Sequence, residues 1–256
     1  MKLIDRLAAG EVFFTAWSGV PDTLTVEIVA RLGFEAVTLD MQHGAHQEDS
    51  VARCIPSVTL SGKHPIVRIP VGRFDMASRA LDLGAEAVIA PMINTVEDAR
   101  RFAAAMKYPP VGERSWGPTF GLARSGVADA QRFLGGQNAA TLAFAMIETR
   151  EAYALVDDIL AVPGIDGVFV GPSDFSIAWT SGATVDPGLD DMMDAIADIA
   201  RRARATGKHA AIFATDPAIT GRYAAMGYRL VAIGNEQHYM RSGAEMLLAT
   251  ARGSIG

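Results

Sequence analysis

Two carboxylates, Glu148 and Asp174, stand where two apolar runs of the sequence end, in the segments Met-Ile-Glu148-Thr and Gly171-Pro-Ser-Asp174. If the two runs form neighbouring strands, the carboxylates lie side by side and repel each other unless a cation or a proton lies between them. Hard oxygen ligands suit Mg²⁺ or Mn²⁺, whose coordination is completed by waters and substrate. The sequence therefore predicts a divalent-metal site here, with a pair of salt-bridged rim carboxylates as the structural alternative.

A histidine and an arginine are placed in the same way. His43 comes just after the run Thr-Leu-Asp40-Met-Gln, and Arg68 lies inside Pro-Ile-Val-Arg-Ile-Pro. Because imidazole titrates near neutral pH, His43 is either a general base or a hydrogen-bonded histidine at the rim. An arginine in a buried strand needs an anion, which for Arg68 is Asp40, Glu148 or the oxyanion of a substrate. In the last case Arg68 would stabilise an enolate.

Other polar and aromatic residues have weaker signals. Asp82 lies in the last turn of a predicted helix, where negative charge opposes the helix dipole. It is either a surface acid paired with Arg79 or a group that orients a histidine. Trp17 and Phe213 end two more apolar runs and are predicted to form pocket walls, whereas Cys54 is predicted to be a small core residue. The remaining histidines are predicted as loop, structural or exposed residues: His46, His64, His209 and His238.

Eight apolar runs recur along the chain, and we predict that each forms a strand. They lie at 12–17, 36–41, 65–69, 87–92, 141–147, 167–171, 209–214 and 229–234. Most are apolar throughout rather than alternating, which is typical of strands buried on both faces of a parallel sheet. Glycines that would end a helix in the left-handed conformation precede six of them: Gly33, Gly62, Gly84, Gly164, Gly207 and Gly227.

The stretches between these runs carry helix signals. Residues that would cap a helix amino terminus begin four of them: Asp22, Asp75, Thr95 and Asp216. Residues 190–205 carry apolar side chains at helical spacing. Strands that alternate with helices predict one (β/α)8 TIM barrel, an α/β domain spanning 1–256. An open doubly wound sheet is the alternative, but the sequence has no G-x-G-x-x-G motif after the first strand.

A (β/α)8 barrel would bring the polar residues together, because its chemistry lies at the carboxyl ends of the strands. Asp40, Arg68, Glu148 and Asp174 would then share one face. The segment 108–140 is too long for a plain connection between elements. Since long loops in compact domains are often functional, we expect this segment to cover the site.

Composition excludes several functional classes. Half of the residues (50%) are hydrophobic and 20% are charged, which is typical of a globular protein and excludes disorder. The net charge of −6 and the scattered basic residues argue against a nucleic-acid surface. No apolar run approaches the roughly 20 residues that a membrane span needs. The first residues, Met-Lys-Leu-Ile-Asp-Arg-Leu, do not resemble an export signal, so we expect a cytoplasmic protein.

The motifs as a set resemble those of one family. They are Thr-Leu-Asp40-Met-Gln-His43, Ile-Val-Arg68, Leu-Asp82-Leu-Gly, Ala-Pro-Met, Tyr-Pro-Pro-Val-Gly-Glu-Arg, Ile-Glu148-Thr-Arg-Glu-Ala and Gly-Val-Phe-Val-Gly-Pro-Ser-Asp174. In this order they resemble the class II, metal-dependent pyruvate aldolases of the 4-hydroxy-2-oxoheptanedioate and 2-dehydro-3-deoxyglucarate aldolase (HpcH/HpaI) family. The resemblance implies a lyase that cleaves 4-hydroxy-2-oxo acids to pyruvate, or hydroxypyruvate, and an aldehyde through a metal-stabilised enolate.

The resemblance also implies roles for the substrate-binding residues. Glu148 and Asp174 would hold the metal, which would be Mg²⁺ or Mn²⁺ with Co²⁺ as a third candidate. The backbone at Ser173 and Asp174 would bind the pyruvate carboxylate. Trp17 and Phe213 would line the pocket.

For proton transfer, the resemblance implies that His43, assisted by Asp82, is the base and that Arg68 stabilises the enolate. It further implies a homo-oligomer, specifically a hexamer built as a trimer of dimers, in which the last helix packs on a neighbouring barrel. The apolar residues Met246 and Leu247 of that helix are compatible with this arrangement.

Some positions depart from the family pattern and leave the aldehyde partner open. Met146 stands where many members carry Gln, and the loop at Arg114 and the stretch Asn235-Glu-Gln-His-Tyr also differ. Two rival functions remain: a lyase acting on a malyl- or citryl-CoA thioester, and a catalytically silent barrel that binds a keto acid. A Schiff-base aldolase is disfavoured, since it needs a lysine inside the barrel. The lysines occupy terminal, loop or helix-end positions: Lys2, Lys63, Lys107 and Lys208.

Overall fold

Eight parallel strands close into a barrel in the computed structural model, which describes residues 2–255. The strands are β1 (Phe13–Ser18), β2 (Ala36–Asp40), β3 (His64–Arg68), β4 (Ala87–Ala90), β5 (Leu142–Ile147), β6 (Gly167–Val170), β7 (His209–Ala214) and β8 (Leu230–Asn235). Each strand pairs with its neighbours in sequence, and β8 pairs with β1. The barrel prediction is therefore confirmed, and every predicted strand ends within two residues of the observed one.

Helices surround the barrel. They are α1 (Leu3–Ala8), α2 (Thr23–Ala30), α3 (Glu48–Leu60), α4 (Phe74–Leu83), α5 (Val96–Met106), α6 (Thr119–Arg124), α7 (Ala130–Ala140), α8 (Arg150–Ala154), α9 (Val156–Ala161), α10 (Pro172–Trp179), α11 (Asp190–Ala205), α12 (Thr220–Met226) and α13 (Glu236–Gly253). A short 3₁₀ turn, Pro217–Ile219, leads into α12. Within residues 2–255, no helix is long and apolar enough to cross a membrane.

Local capping chemistry explains where several helices begin. The Asp22 side chain accepts the Thr25 N–H at the start of α2, as predicted. Thr95 and Asp216 likewise cap α5 and the 3₁₀ turn. The prediction for Asp75 was wrong, because α4 begins one residue earlier and Asp75 pairs with Arg73 in its first turn.

Glycine ends two of the helices that lead back into strands. Gly84 (φ 108°) and Gly227 (φ 115°) end α4 and α12 in the left-handed conformation, which a residue with a Cβ rarely adopts. Three further predicted glycines also have positive φ: Gly62, Gly164 and Gly207. Gly33 does not, so that one prediction was wrong.

Two layers of apolar side chains make the core. One fills the barrel interior, where residues such as Ile66, Phe144 and Leu230 meet, and the helix α1 adds Leu3 at the amino ends of the strands. The other lies between the strands and the surrounding helices and includes Cys54, which is fully buried as predicted. Successive strand residues point alternately inwards and outwards, so continuously apolar strands serve both layers.

The segment 108–140 lies at the wrong end of the barrel to cover the site, so that prediction was incorrect. It follows α5 and precedes β5, and a connection from a helix to the next strand lies at the amino ends of the strands. It folds into α6 and α7, and Arg124 donates to the carbonyl of Leu83 at the end of α4. The segment therefore packs at the amino ends of the strands and does not cover their carboxyl ends.

Candidate active site

A cavity of about 520 Å³ opens at the carboxyl ends of the strands. Every site residue predicted from the sequence except Asp82 lines it: Trp17, His43, Arg68, Glu148, Ser173, Asp174 and Phe213. They follow or end six different strands, so the closed barrel alone brings them together. Trp17 packs edge-on against Phe213, with their ring centroids 5.3 Å apart, and the two form an aromatic wall.

Arg68 is anchored by Asp40. Its Nε and Nη2 donate to the two carboxylate oxygens of Asp40 at 2.8 and 2.6 Å, and its guanidinium lies 4.8 Å from the ring of Trp17. Burial alone would raise the pKa of Asp40, but the hydrogen bonds and charge of Arg68 outweigh it, so this pKa lies below its usual value. Among the described residues Nη1 of Arg68 has no acceptor, which leaves it available to a substrate oxyanion.

Asp40 also shapes the turn that carries His43. Its carboxylate accepts the backbone N–H groups of Gln42 at 3.0 Å, His43 at 3.4 Å and Gly44 at 2.9 Å. Gly44 is required here, because a Cβ would collide with the Asp40 carbonyl oxygen. The His43 side chain is exposed to the cavity and makes no hydrogen bond within residues 2–255, so it is free to meet a substrate.

Glu148 is a buried carboxylate directly after β5. It accepts the Met92 N–H at 2.9 Å, and Met92 has a φ of +53°, which is unusual for a residue other than glycine. A Cβ at Gly171 would lie 2.5 Å from its Oε1, so only glycine leaves room for this side chain. Burial, with a smaller contribution from the charge of Asp174, raises the pKa of Glu148 to about 7 against the opposing Met92 hydrogen bond.

Asp174 and Ser173 occupy the first turn of α10, next to Glu148. Their backbone N–H groups have no acceptor in the described part of the chain, as is usual at a helix amino terminus. Such groups, together with the positive end of the helix dipole, favour an anion. The predicted binding of a substrate carboxylate at Ser173 and Asp174 is therefore compatible with the geometry.

The donor set at this end fits a hard divalent cation. Glu148 and Asp174 supply oxygen ligands, and a cation between them would relieve the repulsion that helps to raise the pKa of Glu148. Across residues 2–255, no group of three or more His, Cys, Asp or Glu side chains is arranged to hold a metal. A cation held by these two carboxylates would have its other coordination positions open to water and substrate, as is usual for Mg²⁺.

Asp82 is not part of this cavity. It lies in the last turn of α4, which leads into the amino end of β4, and its Oδ1 accepts from Nη2 of Arg114 at 2.6 Å. The structural alternative, a surface acid paired with Arg79, was wrong, because Asp82 pairs with Arg114 and Arg79 contacts Glu48 at 3.6 Å. Burial raises the pKa of Asp82. Within one protomer Asp82 therefore cannot orient His43, because the two residues lie at opposite ends of the barrel.

A third buried acid of the cavity, Glu236, was not predicted; it lines the cavity together with Asp40 and Glu148. Its carboxylate accepts from the Ser18 hydroxyl at 2.6 Å and from the N–H groups of Gly19 at 3.0 Å and Val20 at 3.5 Å. Ser18 also lies 3.0 Å from Nε2 of His46. The only signal in the sequence was the departure of Asn235-Glu-Gln from the family pattern, which did not reveal the partner.

His46 lies in a loop as predicted, and its side chain is buried. Its Nδ1 lies 3.2 Å from the Ser50 hydroxyl, and its Nε2 contacts Ser18. Burial lowers the pKa of His46 although the charges of Glu236 and Asp40 oppose this shift. The loop after β2 is thus tied to β1 and α13 by polar contacts beside the cavity.

None of the lysines, all of which lie in the described part of the chain, lines the cavity. Lys107 is fully buried, but at the other end of the barrel, where its Nζ contacts Asp166 at 2.7 Å and the carbonyl of Thr141 at 2.6 Å. A Schiff-base mechanism therefore has no lysine at the cavity, in agreement with the prediction from the sequence.

Residues 14–242 match the protein family described as HpcH/HpaI aldolase/citrate lyase. A hydroxypyruvate/pyruvate aldolase of Rhizorhabdus wittichii is 36% identical over 95% of this chain and 95% of its own. A 4-hydroxy-2-oxo-heptane-1,7-dioate aldolase of Salmonella dublin is 32% identical over 96% of this chain and 92% of its own. The structure of an HpcH/HpaI aldolase/citrate lyase family protein from Burkholderia cenocepacia has a TM-score of 0.86 to this chain, at 26% identity and 98% coverage of both chains.

Proposed function

Because the chain belongs to the HpcH/HpaI aldolase/citrate lyase family, we propose that its cavity cleaves 4-hydroxy-2-oxo acids reversibly to pyruvate, or hydroxypyruvate, and an aldehyde. The chain is a class II aldolase, and relatives named as aldolases align with it over most of its length. The observation that carries the proposal is the meeting of Glu148, Asp174 and Arg68 at one face of the barrel.

The carboxylates and the first turn of α10 would bind the keto-acid end of the substrate. Glu148 and Asp174 would hold the divalent cation, Mg²⁺ or Mn²⁺ with Co²⁺ as a third candidate. When bound, the cation withdraws electron density from the keto group and so stabilises the enolate. The N–H groups of Ser173 and Asp174 would hold the substrate carboxylate, and Trp17 and Phe213 would form the wall beside it.

His43 would then act as the base. It takes the proton of the C4 hydroxyl, the C3–C4 bond breaks, and C4 leaves as an aldehyde. The electron pair left on C3 is delocalised onto the keto oxygen, where Nη1 of Arg68 donates a hydrogen bond. Return of a proton to C3 gives pyruvate. The aldol addition follows the same steps in reverse.

The cavity does not favour the CoA-thioester alternative. A CoA substrate needs a basic groove for its phosphates, whereas Arg68 is the one Lys or Arg side chain among the residues that line the cavity. That arginine is already bound to Asp40. An aldolase that acts on small molecules therefore agrees better with the charges of this site.

We further propose that the protein assembles as a homo-hexamer, a trimer of dimers. The long helix α13 exposes apolar side chains that an oligomer would bury: Met246 is 65%, Leu247 68% and Leu248 51% exposed. Assembly also offers a way to reconcile the predicted partnership of Asp82 with His43, since Asp82 of a neighbouring protomer can approach a site that its own chain cannot reach.

A mixing experiment tests this arrangement. Asp82→Asn is expected to lower turnover less than His43→Ala, because it removes only the assistance to the base. If the two residues act across protomers, hexamers reassembled from a mixture of the two variants are more active than the average of the parent proteins. Sedimentation that shows only a 27.1 kDa monomer would refute the assembly, and mixing without recovery would refute the shared site.

The activity itself is tested by pyruvate release from a panel of 4-hydroxy-2-oxo acids, with and without a chelator. We expect release that depends on added Mg²⁺ or Mn²⁺ and stops with the chelator. Absence of release from every member of the panel, with metal present, would contradict the proposed function.

A further inference from the structure

The cavity has two chemically different ends. Glu148 and Asp174 follow β5 and β6, whereas β1 lies opposite β5 in the closed barrel, with β2 and β8 on either side of it. The far end is lined by residues that follow β8, β1 and β2: Val20, Ala45, Asn235, Glu236 and Gln237. If the keto-acid end of the substrate binds at Glu148 and Asp174, the part that leaves as the aldehyde extends towards this far end.

Within residues 2–255, no lysine or arginine lines the far end. Val20 and Ala45 are apolar, and the side chains of Asn235 and Gln237 are neutral amides. The arginine that lines the cavity, Arg68, is bound through two hydrogen bonds to Asp40. A carboxylate on the aldehyde would find no charged partner here, and burying a charge without an opposite charge is costly.

Glu236 adds a fixed negative charge to this end. Its residue surface is 3% exposed, and the three donors from Ser18, Gly19 and Val20 hold the carboxylate in place. The side chain therefore cannot swing into solvent when an anion approaches. Repulsion between like charges at a buried site is also screened by water and salt less than at the surface.

Resting on the function proposed above, we propose that the aldehyde partner of this enzyme is uncharged and that Glu236 is the residue that excludes aldehydes bearing a carboxylate. Short hydroxyaldehydes fit the remaining chemistry. The Oδ1 of Asn235 accepts the His238 N–H, which leaves its amide N–H groups to donate to a substrate hydroxyl. The Salmonella relative is named for a 1,7-dioate. If such a substrate bound in this cavity, its second carboxylate would lie at the end that contains Glu236.

A matched pair of acceptors tests the proposal. Aldol addition of pyruvate to butanal and to succinate semialdehyde is measured as kcat/KM for each aldehyde, with the metal saturating. The two aldehydes have the same carbon chain and differ in the terminal carboxylate. The ratio of kcat/KM for succinate semialdehyde to kcat/KM for butanal is compared between wild type and each variant. This comparison cancels the difference in intrinsic reactivity between the two aldehydes. Glu236→Gln is expected to shift the ratio towards succinate semialdehyde by about tenfold, which corresponds to roughly 1.4 kcal/mol.

Two further variants keep the test decisive. Gln237→Lys adds a positive charge at an exposed residue of the same end and is expected to shift the ratio in the same direction, even if Glu236→Gln does not fold. Glu245→Gln removes the same charge from an exposed site of α13 outside the cavity and is expected to leave the ratio unchanged.

The outcomes separate this inference from the proposed function. If both aldehydes react and a folded Glu236→Gln leaves the ratio unchanged, the role of Glu236 is refuted while the aldolase function stands. The same conclusion follows if Glu236→Gln does not fold and Gln237→Lys leaves the ratio unchanged. An equal shift in Glu245→Gln would also refute it, because the effect would then come from the overall charge of α13. If wild type adds pyruvate to neither aldehyde nor to any other aldehyde tested, the proposed aldolase function itself is refuted.

Discussion

Two buried cations, one at each end of the barrel, show what distinguishes a structural ion pair from a functional one. At the amino end, Nζ of Lys107 contacts Asp166, Thr141 and Asn138, which uses all its donors. At the carboxyl end, Arg68 is bound to Asp40 through two nitrogens and keeps a third facing the cavity. Burial and pairing are alike at the two sites. The difference is the unused donor that faces a space large enough for a substrate.

The same contrast holds for the acids. Asp166 accepts from Lys107 and from the Ala143 N–H, so it has an opposite charge and joins three segments of the chain. Glu148 receives a single backbone N–H and lies next to another carboxylate. A buried acid with so few partners remains costly until a cation or a proton arrives. The paired charges at the amino end therefore stabilise the fold, whereas the charged groups at the carboxyl end keep donors and acceptors that a ligand can bind.

The largest effect on activity is expected from the replacement of Glu148 at the carboxyl ends of the strands. Glu148→Ala should abolish pyruvate release, because it removes the buried ligand of the proposed metal. Thermal unfolding of the variant should show that it still folds. Activity that survives in the variant at any metal concentration would contradict the assignment.

His43→Ala should have the next largest effect. Loss of a positioned base lowers turnover by about 10² to 10⁴-fold. The KM for the substrate should change less than kcat, because His43 contacts the reacting hydroxyl rather than the carboxylate end. Steady-state kinetics of pyruvate release provide the measurement. A variant with full turnover would require another base.

Replacing Lys107 at the amino ends of the strands should lower the stability of the fold without changing catalysis. Lys107→Met leaves Asp166 without its cation and two carbonyl groups without their donor, which we expect to cost about 3 kcal/mol in the free energy of unfolding. Denaturant unfolding measures this loss, and kcat/KM of the folded variant should equal that of wild type. A large fall in kcat/KM without loss of stability would remove the contrast between the two ends.

The smallest expected effect is a pH dependence of stability in the metal-free protein. Burial raises the pKa of Glu148 from 4.5 to about 7, so ionisation opposes folding. Protonated Glu148 therefore stabilises the folded state, and this contribution is fully present below the unfolded pKa. It is lost as the pH rises through the folded pKa of about 7, by at most about 3 kcal/mol. Glu148→Gln lacks this titration, so with chelator present it should gain stability relative to wild type between pH 5 and pH 8. Parallel stability curves for the two proteins would contradict the shift.

Much of the fold could be predicted because parallel barrel strands are apolar on both faces. Continuous runs such as 142–147 stand out, and the chain order of strands and helices then implies the barrel. The same topology brings Glu148 and Asp174 together, since they follow consecutive strands. The error at 108–140 was avoidable in principle, because a segment between a helix and a strand lies at the amino ends.

Other features depend on contacts that sequence patterns do not carry. Glu236 meets Ser18 only because β8 closes on β1, and the two residues are 218 positions apart. The Met92 N–H reaches Glu148 through a left-handed backbone that no local motif indicated. Closure of the barrel and one unusual φ angle thus complete a site whose main ligands could be predicted.

The most direct test of the central claim is a metal titration of wild type, His43→Ala and Glu148→Ala, with Mn²⁺ binding measured beside turnover on the same samples. We expect His43→Ala to bind Mn²⁺ with the affinity of wild type while its turnover falls, and Glu148→Ala to lose binding and turnover together. If His43→Ala lost the metal while Glu148→Ala kept it, the division of roles between the imidazole and the carboxylates would be contradicted.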